Sequence, residues 1–390
     1  MPATPTPSTD ERRRVEHSLD RIEDRLRDAP DGLHMAGDPA EAEALAASPL
    51  PAAARLLWSR WDGLDLAHGE LRLYSLAEIA MAQDDERLRD GDVVIGERGG
   101  DLLVLAGDPH AEGADVVLVE EDGERLPHSS SVDLMVLASL GEAAALFDEE
   151  GEYQADLFGA DGELTRAAER RLLRRHLDLD PDAPLARFRL AQALRRSGEW
   201  RAASGELNQL LRRAPEFAWG HHELGRARLG LGDATGATKA FVAASEHAAE
   251  QGLAAYFLAW ACLARGSGPE GQGAKDRRLP DRAALAAMVL QRSPNFAANQ
   301  EAGVRAALED EDGPRADEML KLGLAVIPGH LGLLSLREAV ANAPVPTPRP
   351  EDPADDDEDD ETDVEEDSED DEEDDELEDL DDEELDLDDD

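Results

Sequence analysis

Pro181 and Pro215 stand 34 residues apart, and so do Pro294 and Pro328. A fixed period obliges a chain to build one supersecondary unit repeatedly, each unit burying its apolar face against the next. From Leu164 onward no strand signal recurs, and the pattern becomes helix, turn, helix. A unit starting at Pro184 places Leu190-Ala191 on its first helix, Gly198 at the turn, Ala203 on its second helix and Pro215 as terminator. The next, starting at Ala218, carries Leu224-Gly225, Gly232, Ala237, Phe241 and Ala244 at the same offsets. Small residues are needed where two helices cross closely, and bulky ones fill the gap to the next unit. A third unit begins near Gly252 with Leu258-Ala259; a glycine-rich insert near 266–280 pushes its second helix back to about 281–292. A fourth covers 297–328 with Ala316 and Leu320, and 330–342 reads as a polar-faced capping helix.

This stretch resembles tetratricopeptide repeats, about four units over 165–343. The alternative is a generic helical bundle. The resemblance implies that each first helix faces a concave groove. The groove positions are then Phe188, Gln192, Arg195 and Arg196 in unit one, Trp219, His222 and Arg226 in unit two, and Tyr256 and Trp260 in unit three. An arginine and aromatic lining suits an acidic or extended peptide. The family's lysine-and-asparagine clamp for chaperone C-termini is absent at these positions. The competing reading is that these aromatics pack between helices.

Ahead of the repeats the periodicity is mixed. Val15, Leu19, Ile22 and Leu26 predict a helix over 10–27. Pro51 to Trp61 reads as another, ended by Gly63. LRLY, 71–74, alternates like a strand, and Ser75 with Glu78 forms a capping box for the helix that follows. DVVIGE, DLLVLAG and DVVLVEE are three strands, with a tight turn at Gly99-Gly100 and a type I′ hairpin signal at Asp122-Gly123. Ser131 then caps a last helix bearing Leu134, Leu137, Leu140 and Leu146. The head is therefore α+β, a small antiparallel sheet flanked by helices, followed by an all-α repeat region.

The head's order of motifs, over about residues 11–150, resembles the SUKH superfamily, the Smi/Knr type of domain. The residues are Leu50-Pro51, then Trp61-Asp62-Gly63, then Leu73 to Ile79, then Gly96 with Gly99, Gly100 and Asp101. The resemblance implies a non-catalytic fold. Bacterial members are often immunity proteins against nuclease toxins, and others are regulatory scaffolds. Of the scarce tryptophans, Trp61 is expected to pack beneath the sheet. Trp58 is expected to be the more exposed and is a candidate partner contact.

Charge divides the chain in the same places. The formal net charge is −52, with 39 Lys+Arg against 91 Asp+Glu. Residues 1–164 hold −25, residues 165–345 hold +3, and residues 351–390 hold 31 acids and no base. Such a chain repels nucleic acid and anionic membranes and attracts basic partners. The expected organisation is a disordered 1–10, the SUKH-like domain at 11–150, a linker at 151–164, repeats at 165–343, a Pro-rich linker at 344–350 and a disordered acidic tail at 351–390. The tail could reach its own repeat groove. The amino terminus lacks the apolar core of a signal peptide, and Ala, Gly and Arg abound, so a cytoplasmic bacterial protein is expected.

No catalytic, cofactor or metal site emerges. GPEGQGAK, 268–275, lacks the adjacent Gly-Lys and following Ser/Thr of a phosphate loop. Asp178, Asp180 and Asp182 alternate, but Ala183 replaces the glycine of a calcium loop. His221-His222 has no third ligand at metal spacing, and Cys262, the single cysteine, falls on a buried helical position. The expected function is a non-enzymatic scaffold whose head and repeats bind proteins while the tail tunes charge. The alternatives are an immunity protein against a basic nuclease toxin, and an acidic-tail chaperone or nucleic-acid mimic.

Overall fold

The structure, a computed structural model, describes residues 8–160, 162–267 and 278–344. Expectations for residues 1–7, the insert 268–277 with its phosphate-loop likeness, 345–350 and the acidic tail lie outside the described residues. All described residues fall in one unit of the chain.

The head opens with α1 (Thr9–Asp28), where Ser8 and Glu11 form a capping box and Val15, Leu19 and Ile22 make the buried stripe. There follow β1 (Met35–Ala36), α2 (Ala42–Ala47), α3 (Arg55–Trp58), β2 (Leu64–Leu66), β3 (Leu71–Leu73) and α4 (Leu76–Met81). After them come β4 (Val93–Arg98), β5 (Asp101–Leu105), α5 (Pro109–Glu112), β6 (Val116–Val119), β7 (Arg125–Ser129) and α6 (Val132–Leu146). The seven strands pair antiparallel in chain order. The predicted sheet is therefore present, with three additional strands. β1 and β2 are too short to show alternation, and β7 carries Pro127, which an edge strand tolerates because its N–H is not needed.

Ile95, Leu103 and Leu118 face the main core, while Val94, Val104 and Val117 form a second cluster on the other face. Burial on both faces is why these strands read as continuous apolar runs. Gly99 and Gly100 turn β4 into β5 with φ of 61° and 96°, the two left-handed residues of a type I′ turn. Gly96 has a steric cause: a Cβ there would lie 2.1 Å from the Arg72 carbonyl oxygen on β3. The β6–β7 hairpin corrects an expectation. Glu120 N donates to Glu124 O and Gly123 N to Glu120 O, so the loop is three residues long with Gly123 left-handed, not a two-residue type I′ turn.

Ser75 caps α4 with Glu78 as its spacing predicts. Ser131 occupies the N-cap of α6, but its hydroxyl makes no capping bond and is buried without a partner.

The tryptophan expectation is reversed. Trp58 is 0% exposed and donates its Nε1–H to Tyr74 O at 2.8 Å, whereas Trp61 is half-buried at the core's margin. The helix ends at Trp58, so the three-residue offset no longer places the two rings on neighbouring helical positions. Asp62 accepts from Leu76 N at 2.7 Å, and Gly63 adopts φ 98°. Leu50 is fully buried beside Trp58, and Arg55 N closes the first turn onto Pro51 O. Trp58→Phe should keep the ring but strand the Tyr74 carbonyl. A loss of about 1–3 kcal/mol in urea denaturation is expected, and an unchanged midpoint would contradict this role.

The helical region begins with α7 (Arg166–Leu179) and continues α8 (Pro184–Arg196), α9 (Trp200–Arg213), α10 (Ala218–Gly230), α11 (Ala234–His247) and α12 (Gln251–Ser267). It ends with α13 (Arg282–Arg292), α14 (Phe296–Glu309), α15 (Gly313–Val326) and α16 (Leu331–Ala341). The expected unit starts at Pro184 and Ala218 are the first residues of α8 and α10. Ala203, Ala237 and Phe241 are each 0% exposed between paired helices, and a Cβ on Gly225 would lie 2.5 Å from the Phe241 ring. Successive helices from α6 to α13 pack each on the next. The head's last helix thus serves as the first layer of the stack, which is why α6 is buried on nearly every side.

Two features depart from a simple array. Edge strand β7 packs on α8, so one apolar cluster runs from Val15 on α1 to Ala240 on α11. Beyond α13 the stacking changes hand-over: α15, rather than α14, packs on α12.

Candidate functional site

The expected groove positions on α10 and α12 converge, and their geometry follows from the helical period. Trp219, His222 and Arg226 recur at three- and four-residue steps on α10, and Tyr256 and Trp260 at a four-residue step on α12. His222 is the hub. Its ring centroid lies 5.5 Å from Trp219, 5.6 Å from Tyr256, 5.6 Å from Trp260 and 5.1 Å from Phe257. Arg226 sits 5.1 Å above the Trp260 ring. Burial, reinforced by Arg226 and Arg195, holds the His222 pKa well below its ordinary value, so the ring is neutral. Neither ring nitrogen has a hydrogen-bond partner. A neutral imidazole carries one donor and one acceptor, and leaving them unpaired costs roughly 1–3 kcal/mol apiece.

The groove's positive charge is answered from within. Arg195 Nε donates to Glu223 at 2.6 Å, and Arg226 reaches Glu318 of α15 at 3.4 Å. Tyr256 Oη donates to the same Glu318 at 3.1 Å; burial, with Glu318 beside it, pushes the phenol up to about 12. Phe188 packs edge-on to Phe217 and is 8% exposed, Gln192 is half-buried, and Arg196 on the outer side pairs with Glu169 of α7. These positions are therefore covered within the chain, by β7 on α8 and by α15 on α12, with Glu318 of α15 reaching Arg226 of α10. Trp58, in the head's core, is not among them.

What stays open is a cleft of about 640 Å³ between the β6–β7 hairpin and the helices α10 to α12. Phe217, Trp219 and Leu253 give it apolar walls, and Trp219 Nε1 donates to Glu124 across its inner edge. Its carboxylates are Glu112, Asp122, Glu124, Glu216, Glu246 and Glu250. The cleft's two arginines are already engaged. Arg125 holds Asp92 at 2.9 Å and Glu112 at 3.0 Å, and Arg89 also pairs with Glu112. Among the described residues Asp122, Glu216, Glu246 and Glu250 have no arginine or lysine ion-pair partner, so the opening is acidic.

The partners of these side chains are less legible in the sequence. Glu223 has a signal, a carboxylate at an inward helical register beside Leu224. Glu318 and Glu124 have none, because each meets its partners 62 or more residues away. A third cluster, at the joint of head and repeats, was also missed. Glu142 of α6 accepts from Arg98 at 3.1 Å and lies 2.7 Å from His176 Nδ1. Burial alone would raise the Glu142 pKa; Arg98 and His176 override it and hold it at about 2. Beside it, Asp180 accepts from both Ser130 N and Ser130 Oγ, which ties the loop after α7 to the link between β7 and α6.

Among the described residues, Glu120, Asp122 and Glu124 are close enough together to approach one cation; Glu124 is bound to Trp219, and the trio lies at a hairpin tip of an acid-rich chain. His221 stacks on His247 and hydrogen-bonds to Pro215 O at 2.7 Å. Cys262 is fully buried, and burial pushes its thiol up to about 12, so it stays protonated. Among the described residues no helix is long and apolar enough to cross a membrane.

No family model matches the chain, and no curated protein matches it. The SUKH likeness of the head therefore rests on its motif residues alone. Among solved structures, that of YrrB, described as a TPR protein with an unusual peptide-binding site, is similar at 16% identity over 53% of this chain and 91% of that chain, with a TM-score of 0.30. A likeness at that level carries no argument. The repeat architecture here stands on the helix pairs themselves, an N-terminal antiparallel sheet with helices followed by a helical repeat region.

Proposed function

We propose that this chain is a non-catalytic protein-interaction scaffold, and that its partner enters the cleft beside Trp219 as an extended segment bearing lysine or arginine. One observation carries the reading: a cleft of about 640 Å³ with apolar walls holds four carboxylates that have no arginine or lysine partner among the described residues, while its own arginines are neutralised. Unpaired acids facing an apolar slot attract a cationic side chain and bury its aliphatic stem. The 31 acids of residues 351–390 add long-range attraction for the same class of partner.

The test is titration of the full chain with a labelled alternating Arg-Ala peptide and its Glu-Ala counterpart. The cationic peptide is expected to bind and the anionic one not. Glu246→Lys with Glu250→Lys should weaken the cationic peptide by about tenfold, roughly 1.4 kcal/mol. Raising salt should shrink that difference. Both proteins keep the tail, so binding that survives the double reversal unchanged reports only overall charge and sinks the cleft reading.

A further inference from the structure

A second cavity, of about 460 Å³, lies where the last turn of α12 meets the start of α13, α15 and α16. None of the expected groove positions lines it, and it shares no residue with the Trp219 cleft. Leu320 and Leu324, at a four-residue step on α15, and Leu263 on α12 supply its apolar side. Leu320 is buried, and the other two are half-buried. Arg282, Lys321 and Arg337 supply its polar side, and among the described residues no carboxylate lines it. The chain has 91 acids against 39 lysines and arginines, so such a lining runs against its composition. It is the reverse of the Trp219 cleft, where six carboxylates surround two arginines.

The cations are also committed differently. Nε and Nη2 of Arg282 donate to Ala325 O at 2.9 Å and Leu324 O at 3.1 Å. Those bonds fix the guanidinium and cover the negative end of α15, but carbonyls are neutral acceptors, so the positive charge is not cancelled. Nη1 makes no hydrogen bond among the described residues. Arg337 is exposed on α16 and has no ion-pair partner among the described residues. Lys321 pairs with Asp317, but both are exposed, and such a pair competes weakly with a ligand. Cavities of roughly 300–1,000 Å³ with apolar walls and a few convergent polar groups hold small molecules.

We propose that this cavity binds a small organic anion, a single carboxylate on an apolar chain or ring. The carboxylate meets Nη1 of Arg282 and the guanidinium of Arg337, with Lys321 adding charge. The apolar body covers Leu263, Leu320 and Leu324. Neither half suffices: a bare anion leaves the leucines wet, and a neutral apolar molecule desolvates two guanidinium groups without answering them. The site stands or falls apart from the basic-partner reading.

The probe is decanoate, titrated calorimetrically into the full chain at physiological salt, where exposed charges are screened beyond about 8 Å. Its counterparts are acetate, which lacks the apolar body, and decanol, which lacks the charge. Decanoate is expected to bind at one site per chain, and both counterparts about tenfold more weakly or worse. Arg337→Glu with Lys321→Glu, both exposed, should weaken decanoate by about tenfold. Arg171→Glu with Arg174→Glu makes the same change in net charge on the exposed side of α7 and should leave it unchanged. Should the first pair fail to fold, Arg337→Gln alone is expected to weaken decanoate by about threefold. A wild-type chain that takes up no decanoate, decanol that binds as tightly, or two charge reversals that act alike overturns the proposal.

Discussion

Phe241→Ala is expected to remove about 3–5 kcal/mol of stability, the largest loss from any single truncation in the repeats. Phe241 is 0% exposed, stacks on Trp260 with centroids 5.5 Å apart, and lies 5.6 Å from His222. It also fills the notch above Gly225, where a Cβ would approach three ring atoms within 2.5–2.7 Å. Removing the ring leaves a cavity that rigid helix pairs cannot close, and it deprives the hub histidine of one wall. Urea denaturation followed by tryptophan fluorescence measures the effect. Gly225→Ala should also destabilise, and combining it with Phe241→Leu should recover part of that loss, because the two sites share one volume. A loss below about 1 kcal/mol for Phe241→Ala would mean that the residue does not sit between paired helices.

Glu142→Gln is expected to cost about 3 kcal/mol at neutral pH and to loosen the head from the repeats, since it leaves Arg98 without its counter-charge at a largely buried joint. The pH dependence identifies the cause. The folded-state pKa of Glu142, about 2, lies below its ordinary 4.5. A carboxylate with a depressed pKa stabilises fully above the unfolded value and loses that contribution as pH falls through the folded one. The gap between wild type and Glu142→Gln should therefore be constant from pH 7 to about 5 and narrow by about 1.4 kcal/mol by pH 3.5. A gap that stays constant down to pH 3.5 would show that the glutamate acts through shape alone.

Much of the architecture was legible because it is local. The first helix, the Ser75–Glu78 cap and the Gly99-Gly100 turn follow from spacings of eleven residues or fewer, and the starts of α8 and α10 from the 34-residue recurrence of proline. The two-residue strand β1 and the proline-bearing β7 escaped because neither is long or regular enough to display a period. A helix continued to Trp61 would point Trp58 outward. The helix stops at Trp58, and the ring turns inward to give Tyr74 a donor.

By itself the sequence determined that helix pairs recur behind an antiparallel sheet flanked by helices, and that arginines and aromatics share one helical register. It did so because 3.6-residue and two-residue periods write the buried face of each element directly into residue order. Only the tertiary structure decided what that face meets. Glu318 answers Arg226 from α15, Glu124 answers Trp219 from a hairpin, and Glu142 answers Arg98 and His176 across the joint. Those partners lie 34 to 95 residues apart. Ion pairs and hydrogen bonds over such separations leave no periodic trace, so only the folded chain brings these partners together and leaves the cleft acidic.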